Sequence, residues 1–290
     1  MFNKLCIIGV GLIGGSIAKA ARDKQLCTYI SAYGREQDLE NLQRAKALGV
    51  IDDFSLNIAE AVKDADCIII ATPVGAMPAI FKQLKPVWNS DTLYMDAGST
   101  KGNVVAALEV LFGDMPSNFV PVHPIAGAEN SGVDAAIMDL FAAKRLIYTP
   151  NSTTDINFIK LMTTFWQALG SDVVEMNVVQ HDAVLAATSH LPHILAFTLV
   201  DLLGKKDEQA DIFKYAAGGF KDFTRIASSD PTMWLDICMA NKHELLPLIE
   251  EMCAGLDDIK QMLADNDNQR LHDKFTYARN SRQRFLDHYK

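Results

Sequence analysis

The sequence predicts an α/β domain with a parallel sheet over residues 1–176 and an all-helical domain over residues 177–290. Short apolar runs of strand length alternate with segments of helical spacing from residue 4 to about residue 176, where the strand pattern stops. Such alternation with short connections is typical of a parallel sheet covered by helices on both faces. The length of 290 residues also fits two domains of the usual ~100–200 residues.

Seven apolar runs are the predicted strands of the first domain. They cover residues 5–8, 29–33, 67–71, 92–96, 119–122, 146–149 and 172–176. Residues 12–24 have helical spacing, and so do residues 57–64, where Asn57 is a predicted N-cap with Glu60 three residues later. Residues 158–169 carry apolar side chains at the i, i+3, i+4 and i+7 positions of a further helix.

The second domain is predicted from helical patterns alone. Residues 178–203 are expected to form one long helix interrupted near Pro192, because proline lacks the amide hydrogen that a helix interior needs. Further helices are predicted from Gln209, from Asp230 with Pro231 in the first turn, and over residues 243–264. The mostly polar residues 265–290 are expected to form a terminal helix.

The composition argues against several classes of protein. Acidic residues outnumber basic ones by 36 to 27, so a broad surface for nucleic acid or anionic membrane is not expected. The five cysteines include no CxxC pair, which indicates a reducing compartment rather than disulfides or a zinc knuckle. Lys4 and the apolar run after it resemble a signal peptide, but the glycines within residues 9–15 argue against one. No other run approaches the ~18 continuous apolar residues of a membrane span, so a soluble cytoplasmic protein is expected.

A glycine-rich motif follows the first predicted strand directly and begins the first helix. Gly9 permits a tight turn, Gly11 lets the backbone approach a pyrophosphate, and Gly14 allows close packing of helix on strand. The N-terminus of the helix favours the negative charge of the phosphates. Strand, loop, helix and second strand follow in the order of a Rossmann-type dinucleotide site, so the first domain is predicted to be of this type. The alternative is a glycine-rich turn without a ligand.

The end of the second strand bears on the choice between NAD and NADP. An NAD site has an acidic residue there for the ribose hydroxyls, whereas this sequence has Gly34 followed by Arg35. An arginine can bind a 2′-phosphate through two hydrogen bonds, so NADP is the preferred cofactor. NAD remains possible, because Glu36 could take the acidic role or Arg35 could simply be solvated. The residues expected to contact the cofactor are Gly9, Gly11, Leu12, Ile13, Gly14, Arg35 and Thr72.

Two polar motifs follow neighbouring strands of the predicted sheet. Residues 96–101 follow the fourth strand and residues 123–129 follow the fifth, and ligands bind at the carboxyl ends of parallel strands. His123 can accept a proton near neutral pH, and Ser99 is of a type that can orient it. A histidine before proline is often a turn residue, but the shared sheet edge favours a catalytic role for His123.

Two further polar motifs lie in the helical half. His190 and His193 are three residues apart, but neither HExxH nor CxxC accompanies them, so no metal is expected. Lys221, Asp222 and Arg225 share one helical turn and could form a solvated surface turn with an internal ion pair. Alternatively, the apolar neighbours of Arg225 could bury it, and a mostly buried arginine needs an anionic partner.

Taken together, these motifs resemble the prephenate/arogenate dehydrogenase family of tyrosine biosynthesis. The resemblance extends over nearly the whole chain, through GVGLIGGS at 9–16, DAGSTK at 96–101, HPIAGAE at 123–129, HDAVLAATSHLPH at 181–193 and GGFKDFTRIASSDPTMW at 218–234. It implies a Rossmann domain joined to a helical dimerisation domain, and hence a homodimer. The sequence departs from the family at Gly34, where the acidic residue is missing, and at Ala128, where some members have threonine.

The resemblance also implies roles for individual residues. His123 matches the catalytic histidine of the family, and Ser99 matches the serine that orients it. Arg225 matches the arginine that binds a substrate carboxylate. The residues implied to contact or surround the substrate are Arg225, His193, Glu129 and Trp234. Lys221 is a further candidate because its positive charge could help to anchor a carboxylate.

The implied reaction is the oxidative decarboxylation of prephenate to 4-hydroxyphenylpyruvate with NAD(P). His123 would accept the proton of the ring C4 hydroxyl as hydride leaves C4, and loss of CO2 would then aromatise the ring. Arogenate, which would give tyrosine, is the alternative substrate.

Two other functions stay open. Another Rossmann-plus-helical dehydrogenase would need a different proton donor, commonly a lysine on a long helix. A non-catalytic dinucleotide sensor would leave His123, His193 and Arg225 without a role.

Overall fold

The structure is a computed structural model that describes residues 1–128 and 130–288, apart from the side chain of Gln209. It divides into two compact units, Met1–Lys242 and His243–Lys290. The first unit contains a sheet and the helices up to Ala240, and the second contains a pair of long helices. The domain boundary expected at residues 176 and 177 stays a prediction.

Over the described residues, the first unit is built on an eight-stranded sheet in the order β3-β2-β1-β4-β5-β6-β7-β8. Neighbouring strands from β3 through to β6 are parallel, and the order 3-2-1-4-5-6 is that of dinucleotide-binding folds. The Rossmann-type fold predicted from the sequence is therefore confirmed. The strands are β1 (Phe2–Ile8), β2 (Cys27–Tyr33), β3 (Asp53–Ser55), β4 (Cys67–Ile70), β5 (Leu93–Asp96), β6 (Phe119–Pro124), β7 (Arg145–Tyr148) and β8 (Asp172–Glu175).

The sheet differs from the sequence prediction in two features. β3 is a three-residue edge strand with polar Asp53 and Ser55, and the sequence does not predict it because it contains no apolar run. β7 runs antiparallel to β6, and β8 then runs parallel to β7, so the sheet is not parallel throughout. An apolar strand pattern reports burial and carries no information on strand direction.

Helices cover both faces of this sheet. They are α1 (Leu12–Asp23), α2 (Leu39–Ala47), α3 (Ile58–Val62), α4 (Met77–Leu84), α5 (Gly102–Phe112) and α6 (Ile156–Ala168). Successive side chains of a strand point to opposite faces of the sheet, so β1 contributes to the hydrophobic core on each face. Leu5 and Ile7 pack with Trp166 of α6 on one face, whereas Cys6 and Ile8 pack with α3 and α4 on the other.

The helices that follow the sheet belong to the same compact unit as far as Ala240. α7 (Val178–Leu185) continues through a π-helical turn (Ala186–His190) into α8 (Leu191–Ala210), and α9 (Gly218–Thr224) and α10 (Pro231–Ala240) come next. Trp234 and Ile237 of α10 enter the core that contains Ile8, which brings this helix against the sheet. A helical segment after the sheet is thus confirmed.

One of these helix predictions is wrong and two are correct. The interruption expected near Pro192 is observed, because the winding changes directly before this proline, which lies in the first turn of α8. The irregularity is the π turn just before it. The helix predicted to begin at Gln209 is wrong, because α8 extends through this position to Ala210. The helix predicted from Asp230 is correct, since the Asp230 side chain caps α10 and Pro231 lies in its first turn.

Within the described residues, one helical run, Val178–Glu208, is long and apolar enough to cross a membrane by length and composition. This run is not continuously apolar, because His181, Asp182 and His190 interrupt it. In this chain 28% of its most apolar window is buried. A core or interface helix has the same length and composition, so one such run is weak evidence for a membrane span.

The described part of the second unit consists of α11 (Lys242–Ala264), apart from its first residue, and α12 (Asn268–His288). Asp258 of α11 accepts hydrogen bonds from two residues of α12, Arg270 at 3.1 Å and Lys274 at 2.7 Å. Asn266, in the connection, has a φ of 56°, which lets the chain turn back sharply. The two helices therefore lie side by side within this unit.

Candidate active site

The glycine motif forms a tight turn between β1 and α1. Gly9 has a φ of +93°, a conformation that favours glycine. A Cβ atom on Gly14 would lie 2.0 Å from the carbonyl oxygen of Gly9, so only glycine lets the helix approach the strand this closely. A Cβ atom on Gly11 would meet nothing within 4 Å, which leaves the space above the turn open. The tight turn at Gly9 and the close packing at Gly14 are as predicted, and the approach of a pyrophosphate to Gly11 stays a prediction.

The surroundings of this turn fit a dinucleotide. The first amide groups of α1 have no partner within the helix and carry its positive dipole end, as a pyrophosphate site requires. Leu12 and Ile13 lie in this first turn. Thr72 lies beside Gly9, and its buried hydroxyl has no hydrogen-bond partner among the described residues. A buried hydroxyl of this kind is suited to a ligand next to the turn.

The loop after β2 carries an exposed ion pair. Arg35 donates to Asp38 from its Nε at 3.0 Å, and the Arg35 amide donates to the same carboxylate at 2.9 Å. The Arg35 side chain is 59% exposed. A Cβ atom on Gly34 would lie 2.9 Å from the end of the Leu42 side chain, so a carboxylate residue at this position would require Leu42 to shift. Arg35 and Asp38 are therefore the charged groups that the loop presents beside Gly34.

The loop after β5 contains a buried ion pair. The Lys101 ammonium pairs with Asp96 and also donates to the carbonyl oxygen of Val122 in β6 at 2.6 Å. Both charged side chains are fully buried. Burial lowers the pKa of Lys101, and the charge of Asp96 acts in the opposite direction. Lys101 thus links the end of β5 to the residue of β6 that precedes His123.

His123 lies near the end of β6, and its side chain is buried. Its Nδ1 lies 2.9 Å from Nε2 of His181 in α7. Burial holds the pKa of His123 well below its ordinary value of 6.5, and His181 and the charge of Lys101 lower it further. The ring is therefore neutral at physiological pH and able to accept a proton.

His181 is in turn held by Asp182, and neither residue was predicted to be functional. Nδ1 of His181 lies 2.7 Å from Oδ1 of Asp182. The two carboxylate oxygens accept the amides of Lys101 at 2.9 Å and Gly102 at 2.8 Å, at the N-terminus of α5. One sequence signal could have indicated this pair, namely a His-Asp dipeptide within an otherwise apolar helix.

His190 continues the polar cluster on the other side of the π turn. Asn241 donates to the carbonyl oxygen of Asp182 at 2.8 Å and lies 3.1 Å from Nδ1 of His190. Nε2 of His190 is buried, and the backbone of Ser99 is close enough to the ring to affect its pKa. Burial lowers the pKa of His190 to about 4, so this ring is also neutral.

His193 and Trp234 form the next layer of the cluster. Their rings stack with centroids 3.6 Å apart and an interplanar angle of 22°. Nδ1 of His193 contacts the carbonyl oxygen of Ser189 at 2.8 Å. Burial lowers the pKa of His193, and the charge of Arg225 lowers it further, so Arg225 lies within electrostatic range of this ring.

The structure brings some predicted site residues together and not others. His123, His193, Trp234 and Arg225 belong to, or lie near, one continuous cluster. The expected burial of Arg225 is wrong for the single chain, because both Arg225 and Lys221 are exposed. Glu129 lies outside the described residues.

Ser99 is half-buried at the end of β5. Among the described residues, the hydrogen-bond partner of His123 is His181 rather than Ser99. The orienting role of Ser99 stays a prediction. No group of three or more His, Cys, Asp or Glu side chains that could hold a metal ion occurs in the described ranges 1–128 and 130–288.

Two family models match consecutive parts of the chain. Residues 17–175 match the nucleotide-binding domain of prephenate dehydrogenase, and residues 178–277 match its dimerisation domain. Together these matches cover most of the sequence, and they meet where the sheet ends.

Individual relatives are similar over nearly the full length. The chain is 34% identical to a cyclohexadienyl dehydrogenase of Zymomonas mobilis, over 97% of this chain and 96% of that protein. It is 36% identical to a prephenate dehydrogenase of Bacillus subtilis, over 97% of this chain and 76% of that protein. The solved structure of prephenate dehydrogenase from A. aeolicus in complex with hydroxyphenyl propionate and NAD+ superimposes with a TM-score of 0.90 at 36% identity, over 98% of this chain and 99% of that one. With a Rossmann-type sheet, a neutral buried histidine at its carboxyl edge and these matches, the chain belongs to the prephenate dehydrogenase family of NAD(P)-dependent dehydrogenases.

Proposed function

We propose that this protein oxidises and decarboxylates prephenate to 4-hydroxyphenylpyruvate, with transfer of a hydride to NAD(P). The observation that carries the proposal is His123, a neutral and buried base at the end of β6, on the sheet edge that holds the dinucleotide turn. The solved A. aeolicus prephenate dehydrogenase, at 36% identity, binds hydroxyphenyl propionate and NAD+, which supports an aromatic-acid substrate here.

In the proposed reaction His123 accepts the proton of the C4 hydroxyl through Nε2, because Nδ1 is already engaged by His181. The bound cofactor would supply a hydride acceptor for C4. A general base in such a position typically accelerates a reaction by ~10²–10⁴-fold. The ring carboxylate then leaves as CO2 because its bonding electrons aromatise the ring, so no second base is needed.

Binding of the substrate carboxylates is assigned to Arg225, with His193 and Lys221 as further contacts. The chain has a net charge of −9, so an anionic substrate needs local cations. Arg225 acts electrostatically on His193, whose ring stacks on Trp234. The Trp234 indole nitrogen is buried and lacks a hydrogen-bond partner among the described residues, which supports a ligand nearby. We extend the same proposal to Glu129 on the family resemblance alone.

The test is to mix the protein with prephenate and NADP or NAD and to follow the absorbance of reduced cofactor. We expect turnover with prephenate and slower turnover with arogenate. Faster turnover with arogenate would reverse the substrate assignment. Cofactor binding without turnover on either compound would leave a dinucleotide sensor as the function.

The role of Arg225 can be tested separately by Arg225→Ala. Loss of a charge-assisted hydrogen bond to the substrate is expected to raise the KM for prephenate by roughly tenfold to a hundredfold. Lys206→Ala, which removes an exposed cation from α8, is the matched control and should leave KM unchanged. An unchanged KM in Arg225→Ala would give Arg225 a structural role.

The proposed cofactor preference is NADP over NAD. Gly34 lacks a carboxylate for the ribose hydroxyls, and the neighbouring Arg35 is exposed on the same loop. A 2′-phosphate there would replace Asp38 as the partner of Arg35. The A. aeolicus relative was solved with NAD+, so NAD is the alternative cofactor.

We also propose that the protein is a homodimer in the cytoplasm. The match to a dimerisation domain supports the dimer, and so do large apolar side chains that are exposed in the single chain, such as Leu202, Leu235 and Met239. The five cysteines are free thiols, which supports a reducing compartment. Light scattering at micromolar concentration should give twice the chain mass of 31.9 kDa, and a monomer mass would contradict the dimer.

A further inference from the structure

His123 stands at the end of a chain of hydrogen bonds that terminates on a carboxylate. His123 contacts His181 through Nδ1, and His181 contacts Asp182 through its own Nδ1. Asp182 is anchored in turn by two amides at the N-terminus of α5. Burial works to raise the pKa of Asp182, but the hydrogen bonds from His181 and the two amides outweigh it and hold the pKa below its usual value. Asp182 is therefore an ionised acceptor at neutral pH.

We infer that His181 and Asp182 are positioning residues that fix the tautomer of His123 and leave its Nε2 free to accept the substrate proton. An ionised carboxylate only accepts hydrogen bonds, so Nδ1 of His181 carries a hydrogen. A neutral histidine has one ring hydrogen, so Nε2 of His181 is an acceptor. Nδ1 of His123 must then carry its hydrogen, and Nε2 has a free lone pair. The substrate to which this proton belongs rests on the proposed function.

The same series of hydrogen bonds, from His123 through His181 to Asp182, provides a path for the accepted proton. As the substrate O–H bond breaks, an N–H bond forms at Nε2 of His123. The Nδ1 hydrogen of His123 then transfers to Nε2 of His181, so one N–H bond breaks and one forms. The positive charge moves from His123 to His181, next to the carboxylate of Asp182.

The surroundings of the two rings favour this direction of transfer. Burial, His181 and Lys101 all oppose a positive charge on His123. Burial and Lys101 also oppose a charge on His181, but Asp182 favours it through a hydrogen bond and through its negative charge, and the charge of Asp96 favours it as well. Asp182 thus has the role of the aspartate in a Ser-His-Asp triad, with one more imidazole between the carboxylate and the reacting atom.

The tautomer can be measured without any substrate, by nitrogen NMR of protein labelled at its histidine rings. The signals of His123 are assigned as those that disappear in His123→Asn. We expect the hydrogen of His123 on Nδ1 in the wild type, and a shift towards Nε2 in Asp182→Asn, because an amide can donate to His181 and reverse the pattern. A wild-type His123 with its hydrogen on Nε2 would overturn the inference, whatever the substrate proves to be.

Kinetics with prephenate then test the positioning role. His181→Gln keeps an acceptor oxygen for the His123 Nδ1 hydrogen, whereas His181→Leu, of similar bulk, removes it. We expect kcat to fall by ~10²–10⁴-fold in His181→Leu and less in His181→Gln, with little change in KM or in cofactor binding. Equal losses in the two variants would overturn the positioning role. Should His181→Leu fail to fold, kcat of Asp182→Asn decides, and a wild-type value there would overturn it. A wild type inactive on prephenate would instead contradict the proposed function, and the NMR result would still decide the tautomer.

Discussion

Two ion pairs stand at the same edge of the sheet, and their surroundings differ completely. Lys101 and Asp96, after β5, are fully buried, and Lys101 also bonds the backbone of β6. Arg35 and Asp38, after β2, are 59% and 37% exposed. A buried pair cannot be separated without leaving a charge in the interior, whereas an exposed pair exchanges readily with solvent or ligand. The part of the sheet edge that contains Lys101 and Asp96 is thus rigid. In the part expected to hold the adenosine, Arg35 can exchange Asp38 for another partner.

The comparison predicts that the largest loss of catalytic rate follows from a substitution in the rigid part of the edge, at His123. His123→Asn should lower kcat by ~10²–10⁴-fold, the usual range for loss of a general base, with cofactor affinity near normal. Steady-state kinetics with prephenate and titration with cofactor are the measurements. His272→Asn, which removes an exposed histidine of α12, is the matched control. Near-wild-type turnover in His123→Asn would show that another group accepts the proton.

The next largest effect is on stability. Lys101→Met leaves Asp96 buried without its cation, and such losses cost about 3–5 kcal/mol of unfolding free energy. Arg35→Met breaks the exposed pair and should cost at most about 1 kcal/mol. Urea unfolding followed by circular dichroism measures both. Equal costs would mean that the difference in burial between the two pairs has no energetic consequence.

Acid should also lower the stability of the protein through the buried histidines of the candidate site. Burial is the main cause that lowers the pKa of His123, His181, His190 and His193, so these rings are neutral in the folded protein. The unfolded chain takes up protons first as the pH falls below about 6.5, so stability is intact above that value and is lost on the way down. For His190, with a pKa of about 4, the loss is about 3 kcal/mol.

Unfolding free energies measured between about pH 7.5 and pH 5 test this expectation. His190→Gln removes one of the four titrating rings, and its stability should depend less steeply on pH than that of the wild type. An identical pH dependence in the two proteins would contradict the role of His190.

The smallest expected effect is at the exposed pair. Arg35→Ala should weaken NADP binding by about tenfold and leave NAD binding unchanged, because the lost contact is to the 2′-phosphate. Asp38→Asn removes the competing carboxylate and should strengthen NADP binding. Calorimetric titration with each cofactor measures these changes. A wild type that binds NAD as tightly as NADP would contradict the preference.

The sequence predicts local features of this molecule well and long-range pairings poorly. Asn57 caps α3 as expected, and α10 begins at the predicted place, after Asp230, because a helix start depends mainly on neighbouring residues. The glycine turn is also correct, since its geometry is set within six residues. The direction of β7 was not predictable, because the alternation of side chains is the same in parallel and antiparallel strands.

The candidate site shows the same limit. His123 was predicted from its place after a strand, but its partner His181 lies 58 residues away in a helix. Nothing in the local sequence of His181 indicates which strand end it will meet. Similarly, the burial expected for Arg225 from its apolar neighbours is not found, because those neighbours include Phe223, which is itself 52% exposed in the single chain.

The π turn at Ala186–His190 determines the direction of the His190 side chain relative to that of His181. His181 and His190 are nine residues apart, which in a regular α-helix is about two and a half turns and would place them on opposite sides. A π turn bonds i to i+5 and so winds more slowly, which rotates every later side chain back towards His181. Both rings are therefore buried on the side of Asp182 and Asn241. If the same residues wound as a regular α-helix with no change in length, His190, His193 and the rest of α8 would be turned by about 100° relative to His181. The helix thus contains a phase shift of one residue, and the histidine cluster depends on it.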